Sequence, residues 1–253
     1  MLSFSEDLFV LIFTMAASLG FTVVLNRISP VEKRNVQNDL IGWQLNMLGT
    51  TYAVILGFML YTVWTNFGAA DLNADLEASA LRNVYRLAEG LPPTQRAQLK
   101  MEARSYAEAA LSRDWPEMAN GQIPEETHKI NEAMWTTLMS VKPVAPSEIV
   151  AEDHALTELS TLTMHRRTRL LQSVSKLPAI LWCVLFVGGI LTIVSVAMFG
   201  SSKFRFHALQ VFSLTLLITL AMLAIADINQ PFRGWVCISK YAFERAQENM
   251  GDK

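Results

Sequence analysis

One uninterrupted stretch, residues 42–90, most constrains what this chain can fold into. It opens as an apolar segment, GWQLNMLGTTYAVILGFMLYTVW, and continues as a charged amphipathic one, DLNADLEASALRNVYRLAEG, with no proline before Pro92. As a single helix it would be roughly 70 Å long, whereas the hydrocarbon core of a bilayer is about 30 Å thick. We therefore predict that the first half crosses a membrane and that the second half projects beyond it as a strut of a helical bundle.

Three other apolar runs are also long enough to cross a bilayer. Residues 8–25 would span about 27 Å as a helix. The leader before them carries Glu6 and Asp7 and no Lys or Arg, so an uncleaved span is favoured over a signal peptide. The turn at residues 201–206 is so short that the last two spans must be antiparallel neighbours. The four predicted spans are residues 8–25, 47–67, 177–199 and 208–226.

The predicted fold class is an all-α membrane protein with four transmembrane helices and an extramembrane helical bundle between spans two and three. A hydrophobic content of 51% agrees with this, because it exceeds that of an average soluble domain. The predicted domains are a transmembrane hairpin at 1–67 with a polar loop at 26–41, a helical extramembrane domain at 68–176, a second hairpin at 177–226, and a tail at 227–253 that ends in an amphipathic helix.

Prolines divide residues 68–176 into four predicted helices. The strut carries an apolar stripe with helical spacing, formed by Leu72, Leu76, Ala80, Val84 and Leu87. The other three helices run from Thr94 towards Trp115, between Pro124 and Pro143, and from near Ser147 to Lys176.

Basic residues near the span ends bear on orientation, because Lys and Arg favour the cytoplasmic side. The bundle side has nine: Arg82, Arg86, Arg166, Arg167, Arg169, Lys176, Arg233, Lys240 and Arg245. The other side has five: Arg27, Lys33, Arg34, Lys203 and Arg205. The totals favour a cytoplasmic bundle, whereas the flank of the first span favours the reverse. On balance we predict that the bundle is cytoplasmic.

The second span carries a face that is small and polar by membrane standards. Asn46, Thr50, Ala53, Gly57 and Tyr61 recur at spacings of three and four, so they share one side of a helix. Small residues let helices pack closely, and Thr or Asn can hydrogen-bond across the contact. The same face could line a pore, where Asn46 and Thr50 would offer hydrogen bonds to ions. The two interpretations are compatible in an oligomer.

Three further features could have structural or functional roles. Gly188-Gly189 in the third span predicts a packing notch. Asp227 and Asn229 follow the fourth span, where they could shape a pore mouth or simply form a turn. Arg166, Arg167 and Arg169 form a basic cluster before the third span, which could snorkel to lipid phosphates or form an anion vestibule.

Composition and motif searches exclude several functions. The net charge of −2 argues against nucleic-acid binding, which needs a basic surface. Cys183 and Cys237 are isolated, so neither a disulfide scaffold nor a zinc site is expected. The four histidines are scattered, and there is no HExxH, GxSxG or glycine-rich phosphate loop. Residues 152–154 (Glu-Asp-His) fit a solvated helix face. We predict no enzyme activity, no metal and no cofactor.

The tail sequence DINQPFRG, residues 227–234, resembles the D-x-x-x-P-F-x-G signature of the bacterial bestrophin-like family, whose function is unknown. The similarity extends over almost the whole chain from about Gly42. The other features that fit the same family are Trp64, Ala70, Glu77-Ala78, Tyr85-Arg86, Leu91-Pro92, Tyr106, Trp115 and the Arg-rich residues 166–170 ahead of a Leu-Pro entry to the third span.

The resemblance implies an architecture and a function. True bestrophins are pentameric anion channels with four spans, cytoplasmic termini and a helical part between spans two and three. They also bind calcium through acids after a Pro-Phe-Gly motif. Here Arg233 interrupts that motif and residues 235–237 replace the acids, so a calcium clasp is not expected. An aromatic neck is also missing, although Phe58 is a candidate constriction.

We therefore expect a homo-oligomeric ion channel, pentamer first and tetramer second, that passes repeatedly through a bacterial inner membrane. Its partners would be the lipid bilayer and inorganic ions, and span two would line the pore. The choice between cations and anions stays open. The alternative is a non-conducting membrane adaptor or sensor whose bundle binds a soluble partner. These two hypotheses differ in one respect: in the adaptor, the polar face of span two packs dry within its own subunit.

Overall fold

A computed structural model describes residues 4–251, and all regular structure in that range is helical. A short 3-10 turn spans Ala88–Gly90, and a π-helical turn spans Ala110–Asp114. The helices are α1 Phe4–Ile28, α2 Val31–Asn35, α3 Asn38–Leu87, α4 Pro93–Ala109, α5 Trp115–Ala119, α6 Glu126–Met139, α7 Pro146–Val174, α8 Ala179–Ala197, α9 Phe204–Ile228 and α10 Tyr241–Met250.

The long stretch at residues 42–90 forms one helix that ends in a 3-10 turn. Helix α3 has 50 residues, and Ala88–Gly90 then tighten into the 3-10 turn. At 1.5 Å per residue it is about 75 Å long. Pro92, which lacks a backbone N–H, is the N-cap of α4. The prediction of one helix with no break before the turn at Pro92 is confirmed.

Four helices are long and apolar enough to cross a membrane: α1, α3, α8 and α9. Only 11% to 28% of their most apolar windows is buried within the chain. A water-soluble domain would bury such segments in its core, so hydrocarbon or other subunits must cover them. The predicted class, an all-α membrane protein with four transmembrane helices, is confirmed.

The prediction of a polar loop at residues 26–41 is wrong, because most of this segment is helical. Helix α1 continues to Ile28, Pro30 starts α2, and α3 begins at Asn38. The segment has a tertiary contact of its own, since Arg34 is buried and its Nη1 donates to the Ala197 carbonyl at 3.2 Å. Local polarity could not reveal that contact.

Contacts divide the described residues into two compact units, of which the first, the membrane unit, comprises residues 4–65 and 176–229. Helix α1 packs on α9 and α8, and the Thr14 and Thr219 hydroxyls lie 3.2 Å apart. Val63, Leu185 and Ile225 form a buried apolar cluster within this unit.

The second unit, the bundle unit, comprises residues 66–175 and 230–251. Helix α6 packs against α4, and the tail helix α10 packs on α4 as well. Arg104 Nε donates to the Met250 carbonyl at 2.6 Å, which fixes the end of α10. The core of this unit includes Leu81, Leu99 and Leu159.

The predicted stripe of the strut is only partly correct. Ala80 and Val84 are buried, but Leu72 and Leu76 are 59% and 43% exposed. Residues spaced strictly by four rotate about 40° around a helix at each step, because a turn has 3.6 residues. Small residues such as Ala74 take the buried positions instead.

Two helices of the bundle unit begin within one residue of the expected positions. Helix α4 begins at Pro93, one residue before the expected Thr94, and its N-cap is Pro92 with no side-chain cap. Helix α7 begins at Pro146, and Glu148 Oε2 accepts hydrogen bonds from the N–H groups of Val144 and Ala145, at 2.8 and 3.2 Å. These bonds lower the pKa of Glu148 below its usual value.

Candidate functional site

The first half of α3 has one face that packs within the membrane unit. Tyr52 is buried, and its hydroxyl donates to the Leu185 carbonyl at 2.9 Å. Its ring lies against the two glycines of α8, where a Cβ added to Gly188 would come within 2.5 Å of Tyr52 Cδ2. The predicted notch at Gly188-Gly189 is confirmed, and Tyr52 fills it.

The opposite face of the same helix is uncovered in the chain. Asn46, Thr50, Ala53 and Gly57 are all exposed, and Tyr61 is 68% exposed. A Cβ built on Gly57 would have no neighbouring atom within 4 Å. Phe58, beside this face, is 64% exposed. Among residues 4–251, Gly57 therefore has no packing neighbour, and the other residues of this face are exposed.

The polar side chains of this face are also unsatisfied. Within residues 4–251, neither Asn46 nor Thr50 makes a side-chain hydrogen bond, whereas Thr62 Oγ1 donates to the Phe58 carbonyl of its own helix at 2.8 Å. An amide or hydroxyl without a partner in hydrocarbon costs about 4–8 kcal/mol. This face therefore requires water or another polar surface.

The two residues expected at a pore mouth lie at the end of α9. Asp227 and Asn229 are both half-buried. Asn229 Oδ1 accepts a hydrogen bond from the Leu177 N–H at 3.2 Å, just before α8 begins. Asn229 therefore connects the end of one apolar helix to the start of another.

The basic cluster is not a lipid or anion site at two of its three positions. Arg169 is fully buried, with Nε 2.6 Å from Glu77 Oε2 and Nη2 2.8 Å from Asp114 Oδ2. Arg166 is buried too, and its Nε donates to the Thr127 hydroxyl at 2.8 Å. The expected snorkelling or anion vestibule is wrong for both, because their guanidinium groups are buried and hydrogen-bonded inside the bundle unit. Of the three arginines, only Arg167 is exposed.

The buried network perturbs two pKa values. Tyr106 donates to Glu77 Oε1 at 2.7 Å. Burial first, and the negative charge of Glu77 next, raise the pKa of the Tyr106 hydroxyl well above its usual value. Burial alone would lower the pKa of Arg169, but the facing Glu77 carboxylate outweighs it and raises that pKa. Tyr106 is thus a neutral donor and Arg169 a permanent cation.

Residues of the family resemblance meet around this network. The Trp115 ring packs edge-on against Phe232 of the tail signature at 5.8 Å and against Phe243 at 5.3 Å. Arg169 Cζ lies 5.2 Å from the centre of the Trp115 ring. Sequence reasoning missed Asp114, whose only signals were its place just before Trp115 and the proline that follows.

Metal binding finds no support in the described part of the chain. Among residues 4–251, no group of three or more His, Cys, Asp or Glu side chains is placed to hold a metal ion. His154 and Asp153 are exposed.

These observations define the class of the molecule: a multi-pass α-helical membrane protein with a separate helical bundle unit. A comparison with protein families then gives the particular family. The Bestrophin-like domain matches residues 12–243, nearly the whole chain, and the chain belongs to the Bestrophin-like family. Bestrophins are known as ion channels and not as enzymes.

Solved structures show the same fold. A variant of a bacterial bestrophin homologue from Klebsiella pneumoniae superposes with a TM-score of 0.74 at 13% identity, over 96% of this chain and 99% of that one. A second variant of a bacterial bestrophin homologue from Klebsiella pneumoniae gives 0.72 at 11% identity, over 97% of each chain. A structure described as a membrane protein gives 0.71 at 13% identity, over 94% and 96%. At these identities the likeness concerns the fold. Among curated proteins, no sequence matches the chain.

Proposed function

We propose that the chain is one subunit of an oligomeric ion channel of a bacterial inner membrane, with α3 lining the pore. The observation that carries the proposal is the uncovered polar face of α3. Asn46 and Thr50 have no side-chain hydrogen-bond partner among the described residues, and a ring of such faces around an axis would supply the water they need. Ala53, Gly57 and Tyr61 continue the lining, Phe58 is the candidate constriction, and Asp227 and Asn229 shape the mouth.

The architecture of the proposed channel follows the predicted domains. The hairpins 1–67 and 177–226 form the membrane part, residues 68–176 form an extramembrane and cytoplasmic domain, and 227–253 form the tail. Residues 1–3 and 252–253 lie outside the described residues. A pentamer is proposed first, by analogy with true bestrophins, and a tetramer second.

The rival adaptor hypothesis predicts that the polar face of span two packs dry inside its own subunit. The packed face of α3 is instead the Tyr52 side, and the face with Asn46 and Thr50 is exposed. This difference favours the channel. The choice between cations and anions stays open, because the exposed lining carries hydrogen-bonding groups and no charge.

Ion flux through the purified protein in liposomes tests the proposal. Salt gradients of either sign should drive a selective flux and reveal the sign of the ion. The Asn46→Leu/Thr50→Leu variant should lose at least about tenfold in flux, because it replaces the polar lining with bulky apolar groups. Thr51→Leu is the matched control, because Thr51 is exposed but lies about 100° around the helix from Thr50.

Equal flux through wild type and the double variant would remove α3 as the lining. Equal loss in the Thr51→Leu control would assign the effect to helix stability and not to the pore. Absence of flux across voltage, pH and calcium concentration would favour the adaptor.

A further inference from the structure

The loops at one end of the membrane unit are strongly basic. Residues 26–41 and 198–207 together carry five cations and two acids, a net charge of +3 in a chain whose net charge is −2. We call this surface the basic loop end. Its cations are Arg27, Lys33, Arg34, Lys203 and Arg205, and its acids are Glu32 and Asp39.

Specific contacts hold the two loops together. Arg34 Nη1 donates to the Ala197 carbonyl at 3.2 Å. The Asn38 amide pairs in both directions with the backbone of Gly200, at 2.7 and 2.8 Å. Gly200 approaches so closely that an added Cβ would lie 2.6 Å from Asn35 Oδ1. The cations of the two segments therefore belong to one built surface.

The charges of this surface are not neutralised by any side chain within residues 4–251. Arg27, Lys33, Lys203 and Arg205 are exposed, and none forms an ion pair with another described residue. Arg34 is only 6% exposed, and its Nε is buried with no acceptor in the described range. Its other nitrogens bond to the neutral Asn26 amide and Ala197 carbonyl. A buried cation with neutral partners adds positive potential to the loops around it.

A helix N-terminus adds to the same potential. Helix α9, which has 25 residues, starts at Phe204, and its N-cap, Lys203, provides no side-chain cap. The first N–H groups of a helix are free donors and carry a partial positive charge, a combination that binds phosphate groups. Lys203 and Arg205 flank this terminus.

Exposed apolar side chains lie beside the cations. Ile28 is 77% exposed, Val36 is 85% exposed and Phe206 is 65% exposed. A free anion would leave these side chains uncovered, whereas a phospholipid offers both a phosphate and hydrocarbon. The ends of apolar helices are also where lipid headgroups lie.

We propose that the basic loop end binds an anionic phospholipid. The exposed cations and the α9 N-terminus hold the headgroup phosphate, and the exposed apolar side chains contact the acyl chains. Arg34 is a positioning residue, which fixes the two loops against the end of α8.

Binding of phosphatidylglycerol to the purified full chain tests this, with lipid retention measured by native mass spectrometry and phosphatidylcholine as the neutral comparison. The test variant is Lys33→Gln/Lys203→Gln/Arg205→Gln. The matched control is Arg86→Gln/Lys142→Gln/Lys240→Gln, which removes the same charge from three exposed positions of the bundle unit. Each surface cation contributes about 1 kcal/mol to binding anionic lipid, so the test variant should bind roughly 100-fold more weakly.

The proposal stands if only the test variant loses phosphatidylglycerol and phosphatidylcholine binding does not change. Equal affinities of wild type and the test variant overturn it, as does an equal loss in the control, which would indicate a nonspecific charge effect. Competition with inorganic phosphate and glycerol phosphate distinguishes a site for phospholipid from a site for free phosphate. If either soluble anion displaces the lipid at comparable concentration, the site is one for free phosphate and the lipid assignment is wrong.

Discussion

At the scale of single residues, Arg169 makes several polar contacts in the interior of the bundle unit. It pairs with two carboxylates, Glu77 and Asp114, and its Nη1 lies 3.4 Å from Met118 Sδ. Its guanidinium also faces the Trp115 ring. A buried charge is tolerated only when its partners are in place. The network therefore requires that α3, α7 and the π-helical turn adopt one specific arrangement.

Removing this guanidinium should destabilise the protein strongly. We expect Arg169→Gln to lower the free energy of unfolding by about 3–5 kcal/mol, because Glu77 and Asp114 would be left as uncompensated buried charges. Denaturant unfolding of the full chain in detergent, followed by tryptophan fluorescence, measures this. The control Arg167→Gln removes an exposed charge and should change stability by less than about 0.5 kcal/mol. Similar losses in both variants would contradict the assigned role.

Tyr106 should make stability depend on alkaline pH. Tyr106→Phe removes one hydrogen bond to a carboxylate and should cost about 1.5–3 kcal/mol at neutral pH. The folded protein raises the pKa of this hydroxyl, so its contribution is complete below the unfolded pKa of about 10 and is lost as pH rises.

The advantage of wild type over Tyr106→Phe should therefore shrink by about 1.4 kcal/mol for each pH unit above 10. Parallel unfolding curves of the two proteins measure the difference, in which the other tyrosines cancel. A stability difference that stays constant up to high pH would show that folding does not raise the pKa of the Tyr106 hydroxyl.

At the scale of helices, the first half of α3 separates two roles on opposite faces. Tyr52 and Val63 pack within the membrane unit, while Thr50 and Gly57 are exposed. The contact with α8 depends on glycine, since the Tyr52 ring occupies the space that a side chain at position 188 would need. Close approach of these two helices fixes which face of α3 stays uncovered.

Filling the notch should weaken the membrane unit. Gly188→Leu must displace Tyr52 and should cost about 1–3 kcal/mol through overpacking, despite the better helix propensity of leucine. Thermal unfolding in detergent measures the effect. Gly20→Leu on α1 is the matched control, because no atom lies within 4 Å of a Cβ built there. Unchanged stability of Gly188→Leu would mean that the close contact is absent.

At the scale of the whole molecule, the exposed apolar surface of the four spanning helices calls for partners. At most 28% of any apolar window is buried in one chain. Lipid can cover apolar side chains, but it cannot satisfy Asn46 and Thr50. Several copies around a water-filled axis would satisfy both needs.

Cross-linking should therefore yield an oligomer. Amine-reactive cross-linking of the purified protein in mild detergent should give a ladder that ends at a pentamer, with a tetramer as the second expectation. Light scattering of the same sample provides an independent mass. Protein unfolded in strong detergent before cross-linking is the control for random collisions. A sample that remains monomeric in both measurements would contradict the oligomer and, with it, the ring pore.

The features that depend on local chemistry were predictable from the amino-acid sequence. Apolar runs of sufficient length indicated four spanning helices, and the absence of proline before Pro92 predicted the unbroken α3. Spacings of three and four placed Asn46, Thr50 and Gly57 on one face, because helix geometry is regular. The tail signature pointed to the family that the comparison then confirmed.

The contacts between side chains far apart in the sequence became visible only in the folded structure. Arg166 and Arg169 beside an apolar span have the same local pattern whether they face lipid or a carboxylate. Glu77, the partner of Arg169, lies 92 residues away, and Asp114 lies 55 residues away. The face of α3 that stays open was fixed in the same way, by the packing of Tyr52 on Gly188. Burial and pairing depend on contacts between distant segments, and no local pattern encodes them.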